Sequence, residues 1–215
     1  MPVYTGFLEV QMVKSYSGLI SLKYNLMAAV DVETTGRMPG YHEIIQIAVQ
    51  PLDSEMAPCT QPFYLKIAPE YPERVEKEAS TVHGIDIAEL VQTAVSQSRA
   101  ADMFDEWFQS LDLPYRKSLV PLAHNWAFEA GFLKAWLGYE SFNQIFHPHP
   151  RDSMLFGIAL NDRAFFQGDP APFNSVSLKA MCDKMGIPVI KSHDALADAL
   201  AEAKLYKALL QLPTI

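Results

Sequence analysis

Met27-Ala28-Ala29-Val30-Asp31-Val32-Glu33-Thr34-Thr35-Gly36 is the stretch on which the reading of this chain turns. Successive side chains of a strand point to opposite faces, so Asp31 and Glu33 share one face while Val30 and Val32 share the other. The apolar run from Met27 to Val30 marks a central buried strand, and its mouth carries two carboxylates side by side. Like charges held that close repel unless a proton or a cation lies between them, and hard oxygen donors suit Mg²⁺ or Mn²⁺. A bare Asp-x-Glu also occurs as an ordinary surface pair. Its place between a buried strand and a Thr-Thr-Gly turn favours a functional pair.

The surrounding chain bounds what such a site can belong to. Its 215 residues, 49% of them hydrophobic, suffice for one catalytic domain with a full core, taken here as residues 27–215. Residues 1–26 are set apart as an N-terminal extension. There Leu8, Val10 and Met12 alternate with Glu9 and Gln11, and Tyr24 and Leu26 continue the pattern, as in a small hairpin; an equally plain reading is an extension or a mis-assigned start ahead of a natural start at Met27. No run approaches the ~20 apolar residues of a membrane span, and no secretory signal pattern opens the chain. Cys59 and Cys182 stand far apart without Cys-x-x-Cys spacing, which argues against a disulfide framework or structural zinc. A soluble, cytoplasmic protein with no membrane partner is expected. The formal charge of −8 disfavours a broad polyanion-binding face. A protein that grips only a strand end, with cations neutralising the phosphate, needs few basic contacts and shows a shallow salt dependence.

Taken in order, residues 44–49 and 63–67 are short, β-branched or aromatic segments bounded by turn residues, so three consecutive strands form an antiparallel meander. Asp86 is placed to cap a helix, and Phe104, Phe108 and Leu111 mark a helix against the sheet. Leu119 to Leu122 is a fourth strand running into His124-Asn125. Phe128, Phe132, Ala135 and Tyr139 then recur at helical spacing. This junction of strand end and helix start, a favoured location for sites in open α/β sheets, contains Glu129. Helices follow over residues 153–161, 177–185 and from about Asp194, the last with a stripe of Leu196, Leu200, Ala203, Tyr206 and Leu210. Strands first and helices later describe an α/β layer domain.

Near the C-terminus, His193 and Asp198 lie five residues apart, on different faces if both were helical. Asp194 as N-cap leaves His193 ahead of the helix and lets both reach one site. Asp198 falls on a stripe with the apolar Ala201, Leu205 and Leu209, so its carboxylate points inward, where a charge needs a partner such as a metal.

Asp-Val-Glu-Thr-Thr-Gly (31–36), Val-His-Gly-Ile (82–85), Ala-His-Asn-x-x-Phe-Glu (123–129), Ser-Leu-x-x-Met (177–181) and His-Asp-Ala-x-x-Asp-Ala (193–199) occur in this order. With them the chain, over roughly residues 27–212, resembles the DEDDh 3′→5′ exonucleases, the DnaQ-like relatives of the proofreading epsilon subunit of bacterial DNA polymerase. The resemblance implies a ribonuclease-H-like fold with a five-stranded mixed sheet flanked by helices. It also implies metal-dependent removal of nucleotides from a single-stranded DNA or RNA 3′ end, with a DNA polymerase as a possible partner. By the same resemblance Asp31, Glu33, Glu129 and Asp198 hold two Mg²⁺ or Mn²⁺ ions and His193 is the general base, in keeping with two-metal hydrolysis and an imidazole pKa near ~6.5. At position 129 the family usually carries Asp. The extra methylene of Glu shifts the reach by about 1.5 Å, so a catalytically impaired nucleic-acid-binding or polymerase-associated module is the competing reading, and an oligoribonuclease-type relative the more distant one.

Other residues carry weaker signals. The Thr34-Thr35 turn is expected to offer backbone N–H groups to the terminal nucleotide, Asn125 to orient backbone near the site, and Trp126 to stack on a base. Phe128 fits the core stripe. His83 and His124 read as structural, His147 and His149 as members of a solvated loop, and Asp152 as a helix N-cap or a support of the site.

Overall fold

A computed structural model describes residues 25–189 and 193–212, so the expectations for residues 1–24 lie outside the described residues. Five strands, β1 (Leu26–Thr34), β2 (Ile44–Leu52), β3 (Phe63–Lys66), β4 (Leu119–Ala123) and β5 (Arg151–Asp152), form one sheet in the order β3-β2-β1-β4-β5. The first three make the expected antiparallel meander, and β4 and β5 join in parallel, which gives the mixed five-stranded sheet. Eight helices occur among the described residues: α1 (Lys77–His83), α2 (Ile87–Thr93), α3 (Gln97–Ser110), α4 (Trp126–Leu137), α5 (Tyr139–Ile145), α6 (Ser153–Gln167), α7 (Leu178–Lys184) and α8 (Ala195–Leu210). None of them is long and apolar enough to cross a membrane.

The alternation of β1 sorts the core. Ala28, Val30 and Val32 face a cluster built with Phe104 of α3, Phe132 and Leu133 of α4 and Phe142 of α5. Met27 and Ala29 face Ala195, Ala199, Ala203 and Tyr206 of α8. Asp31 and Glu33 continue this second face beyond its apolar part, so the layer that buries α8 also delivers the acidic pair toward it.

Two expectations change. Tyr139 does not extend α4: Gly138, at φ 77°, ends that helix and starts α5, leaving Tyr139 72% exposed. The left-handed value is one that glycine adopts without penalty, and a helix cannot continue through it. Of the expected α8 stripe, Ala203 and Tyr206 are buried against the sheet, Leu196 and Leu200 are half-buried and Leu210 is 47% exposed; the inward side also takes in Ala195, Asp198, Ala199 and Glu202. Small alanines let the helix lie close on β1 and β2. Its longer Leu205 and Leu209 instead fill a third cluster with Met181 and Cys182 of α7.

Candidate active site

Three elements deliver the acidic groups. β1 carries Asp31 and Glu33, and its register against β2 shifts between Glu33 and Thr34, a bulge immediately after the second carboxylate. Such irregularities bend a strand and re-aim its side chains. Beyond the bulge Thr35 is fully buried: its N–H donates to the Glu43 carbonyl and its hydroxyl accepts from the Glu43 N–H. The expectation that the Thr35 N–H serves a nucleotide is therefore corrected, because that group is already bonded. The Thr34 hydroxyl donates to the Gly36 carbonyl at 2.6 Å. A Cβ on Gly36 would come within 2.6 Å of the His42 ring, so only glycine fits the turn.

α8 carries the second group. Asp194 caps it, accepting from the Ala197 N–H, and the Tyr64 hydroxyl donates to the other Asp194 oxygen at 2.9 Å. Gln46 links the two, donating to Tyr64 and accepting from the Ala195 N–H. This lattice fixes the start of the helix against β2 and β3. His193 stands just ahead of it, exposed and at φ 63°, and its backbone N–H donates to Asp198 Oδ2 at 2.8 Å. Ligand atoms of Glu33, His193 and Asp198 lie within 4.8 Å of one another, the one such group of three among the described residues.

The β4–α4 junction supplies Glu129. Asn125 takes a left-handed conformation at φ 93°, which asparagine tolerates better than most residues. Asp152 accepts from the backbone N–H groups of Asn125 and Trp126 and also from Leu155, so one carboxylate anchors α4 and caps α6. Trp126 packs on Phe142 and Phe146, with ring centroids 6.1 and 5.5 Å away, which places its indole in the aromatic core and leaves it half-buried. Glu129 is 4% exposed, and its Oε2 has no hydrogen-bond partner. Asp31 and Glu129 stand outside the tight group of three, yet their charges act on the same pocket.

The electrostatics show that pocket directly. Burial, then the charges of Glu33, Glu129, Asp198 and Asp194, push the Asp31 carboxyl well above the usual carboxylate range. Burial, then Asp198 and Asp194, push Glu33 up to about 7. Burial raises Glu129 well above its ordinary value, its backbone N–H offsetting part of this and Asp152 adding to it. Asp198 is raised by burial despite the His193 N–H. One carboxylate here was not anticipated. Glu202 is 1% exposed and is raised by burial first and then by Asp31, Glu129 and Asp198.

A cavity of about 390 Å³ adjoins Glu33, lined by Thr34, Gly36, Arg37, His83 and Phe128 among others. Phe128 thus lines the cavity as well as packing on the core. His83 accepts the Ile85 N–H at Nδ1, so in the neutral ring the proton sits on Nε2, a buried donor without a partner. Val-His-Gly-Ile (82–85) thus brings His83 to the wall of the cavity. His124 bridges Ser153 and the Val176 carbonyl.

A family model described as exonuclease (RNase_T) matches residues 28–206. No curated protein sequence matches the chain. Among solved structures, E. coli exonuclease I in complex with a dT13 oligonucleotide superposes with a TM-score of 0.66 at 19% identity, over 87% of this chain and 41% of that one. The zinc-ion-bound form of the E. coli ExoI–ssDNA complex gives 0.69 at 21%, over 88% and 41%. A moderately thermophilic exonuclease I from Methylocaldum szegediense gives 0.67 at 20%, over 88% and 41%. At such identities the likeness concerns the fold, and this chain spans about two fifths of the length of those proteins.

Proposed function

The chain belongs to the DEDDh (DnaQ-like) exonuclease family, and on that premise we propose that it is a metal-dependent 3′→5′ exonuclease acting on single-stranded nucleic acid. The observation that carries this reading is the group of Glu33, His193 and Asp198 within 4.8 Å, on the face of β1 that also bears Asp31. The donor set suits divalent cations. Carboxylates raised by burial and then by one another's charge, and a buried Glu129 oxygen without a partner, are groups that a cation satisfies.

Asp31, Glu33, Glu129 and Asp198 would hold two Mg²⁺ or Mn²⁺ ions. Such ions, when bound, lower the pKa of an attacking water and offset charge on the attacked and leaving oxygens. His193, exposed at the mouth of the group, takes the proton of the water as its oxygen bonds to phosphorus. The P–O3′ bond breaks and a nucleoside 5′-monophosphate departs, the new 3′-hydroxyl taking its proton from solvent. The backbone bond from His193 to Asp198 aligns base and ligand. The cavity beside Glu33 receives the terminal nucleotide, with Phe128 as an apolar wall, the His83 Nε2–H as a donor and Arg37 at the rim toward phosphate. Thr34 and Asn125 border this path, while Trp126 contributes through its packing.

The oligonucleotide and single-stranded DNA complexes of the neighbouring exonuclease I structures make single-stranded DNA the first substrate to try. A 5′-labelled strand with Mg²⁺ or Mn²⁺ should shorten stepwise from its 3′ end. Tight binding without shortening would mean that Glu129 has cost the site its activity, leaving a nucleic-acid-binding module. A matched RNA strand run alongside separates the oligoribonuclease-type reading, since discrimination rests on the 2′-hydroxyl.

A further inference from the structure

Glu202 sits four residues beyond Asp198 on α8 and outside the His193–Ala199 motif. Side chains four apart on a helix share a face, so the two carboxylates look the same way, toward the sheet. Glu202 is 1% exposed, and neither of its carboxylate oxygens has a hydrogen-bond partner. The charges facing it are those of Asp31, Glu129 and Asp198; the backbone N–H of His124 approaches without completing a hydrogen bond.

A glutamate kept for the fold alone would be expected to find a partner, because a buried polar group without one is strongly unfavourable. A proton shared between two carboxylates would satisfy two oxygens at most, and three are left without a partner: Glu129 Oε2 and both oxygens of Glu202. Among the described residues the carboxylate oxygens left orphaned in the interior belong to Glu129 and Glu202. Glu129 is where the chain departs from the family's Asp, and Glu202 lies outside the family's motifs. Two unusual carboxylates with the same unmet need, facing each other across one pocket, point to a shared cause.

We propose that Glu202 is a fifth carboxylate ligand of the divalent-cation site, on the side of Asp31 and Glu129. This rests on the metal-dependent reading given above and extends it. The ligand set becomes Asp31, Glu33, Glu129, Asp198 and Glu202, with more negative charge for the same cations. Tighter binding of the metal in the absence of nucleic acid follows.

Binding of Mn²⁺ to the full chain without nucleic acid, followed by electron paramagnetic resonance of the free ion, tests this. Glu202→Gln keeps the shape and removes the charge. It should lose one bound ion or weaken Mn²⁺ at least tenfold, while the melting temperature of the metal-free protein does not fall. Unchanged stoichiometry and affinity overturn the assignment. Asp198→Asn, measured in parallel, keeps the two readings apart: if it loses Mn²⁺ while Glu202→Gln binds like the wild type, the site stands and Glu202 is not a ligand. A wild type that binds no Mn²⁺ defeats both. Should Glu202→Gln fail to fold, a crystal structure of the wild type with Mn²⁺ decides, by whether a Glu202 oxygen lies within about 2.3 Å of an ion or clearly beyond coordination distance.

Discussion

The two sides of the acidic pocket are built on different principles. Toward the start of α8, the helix is tied down through Asp194, Tyr64 and Gln46, and Asp198, grouped with Glu33 and His193, already accepts from the His193 N–H. Toward α4 the backbone is equally well anchored through Asp152, but Glu129 and, reaching in from α8, Glu202 end in oxygens with nothing to bond. One side is complete as protein. The other leaves oxygens that the proposed cations would satisfy, and the contrast separates residues that position from residues that wait.

Asp198→Ala attacks the ordered side at the point where ligand and base meet. It should cut turnover by at least about 10⁴-fold, the upper end of what one group in such a site supplies, as read from single-turnover degradation of a labelled oligonucleotide. Activity within tenfold of wild type would dissolve the distinction between the sides. His193→Ala should cost about 10³-fold while Mn²⁺ binding weakens far less, because the remaining donors are carboxylates. A parallel collapse of metal binding would make His193 a ligand.

The metal-free protein offers a third test. Glu33 is raised from 4.5 to about 7, so between those values the folded state binds more protons than the unfolded chain. Stability therefore falls as pH rises through that window, by on the order of 3 kcal/mol from Glu33 alone. Asp31, Glu129 and Glu202, also raised, act in the same direction. Melting curves in chelator from pH 5 to 8 should show the decline, and saturating Mg²⁺ should flatten or reverse it; a chelated protein that becomes more stable toward pH 8 would contradict the assignment. Smaller effects belong to supporting residues. Tyr64→Phe removes the bond to Asp194 and the one from Gln46 and should cost about 2 kcal/mol, lowering the melting temperature by ~4–8 °C. Arg37→Ala should leave kcat alone and reduce the slope of log affinity against log salt by ~0.7, one phosphate contact on a single strand.

The ordered side was largely legible in the sequence. Alternation around Asp31 and Glu33 fixed their shared face, and the inward direction of Asp198 followed from its apolar neighbours Ala201, Leu205 and Leu209. Asp86, Asp152 and Asp194 cap helices as their chemistry suggests. The waiting side was half hidden. Glu129 surfaced through a motif, but Glu202 sits in Ala195–Leu210, a helix apolar almost all the way round, where a lone acid reads as part of the solvated edge. The same composition blurred the inward stripe, which holds at Ala203 and Tyr206 and fails at Leu210, since periodicity carries little information when most positions are apolar. The packing of Trp126 was hidden for a related reason. Its partners Phe142 and Phe146 belong to a later helix and its exit, and only the fold brings them to the indole.

The bulge between Glu33 and Thr34 has an evolutionary corollary. Upstream of it, adding or deleting a single residue would turn Asp31 and Glu33 onto the opposite side of the sheet, into an aromatic interior. Downstream, the same change would pull Gly36 away from the imidazole it is shaped around. Length variation among relatives should accordingly be forbidden between Leu26 and His42 along this strand and its turn, and tolerated in exposed connections such as residues 168–172.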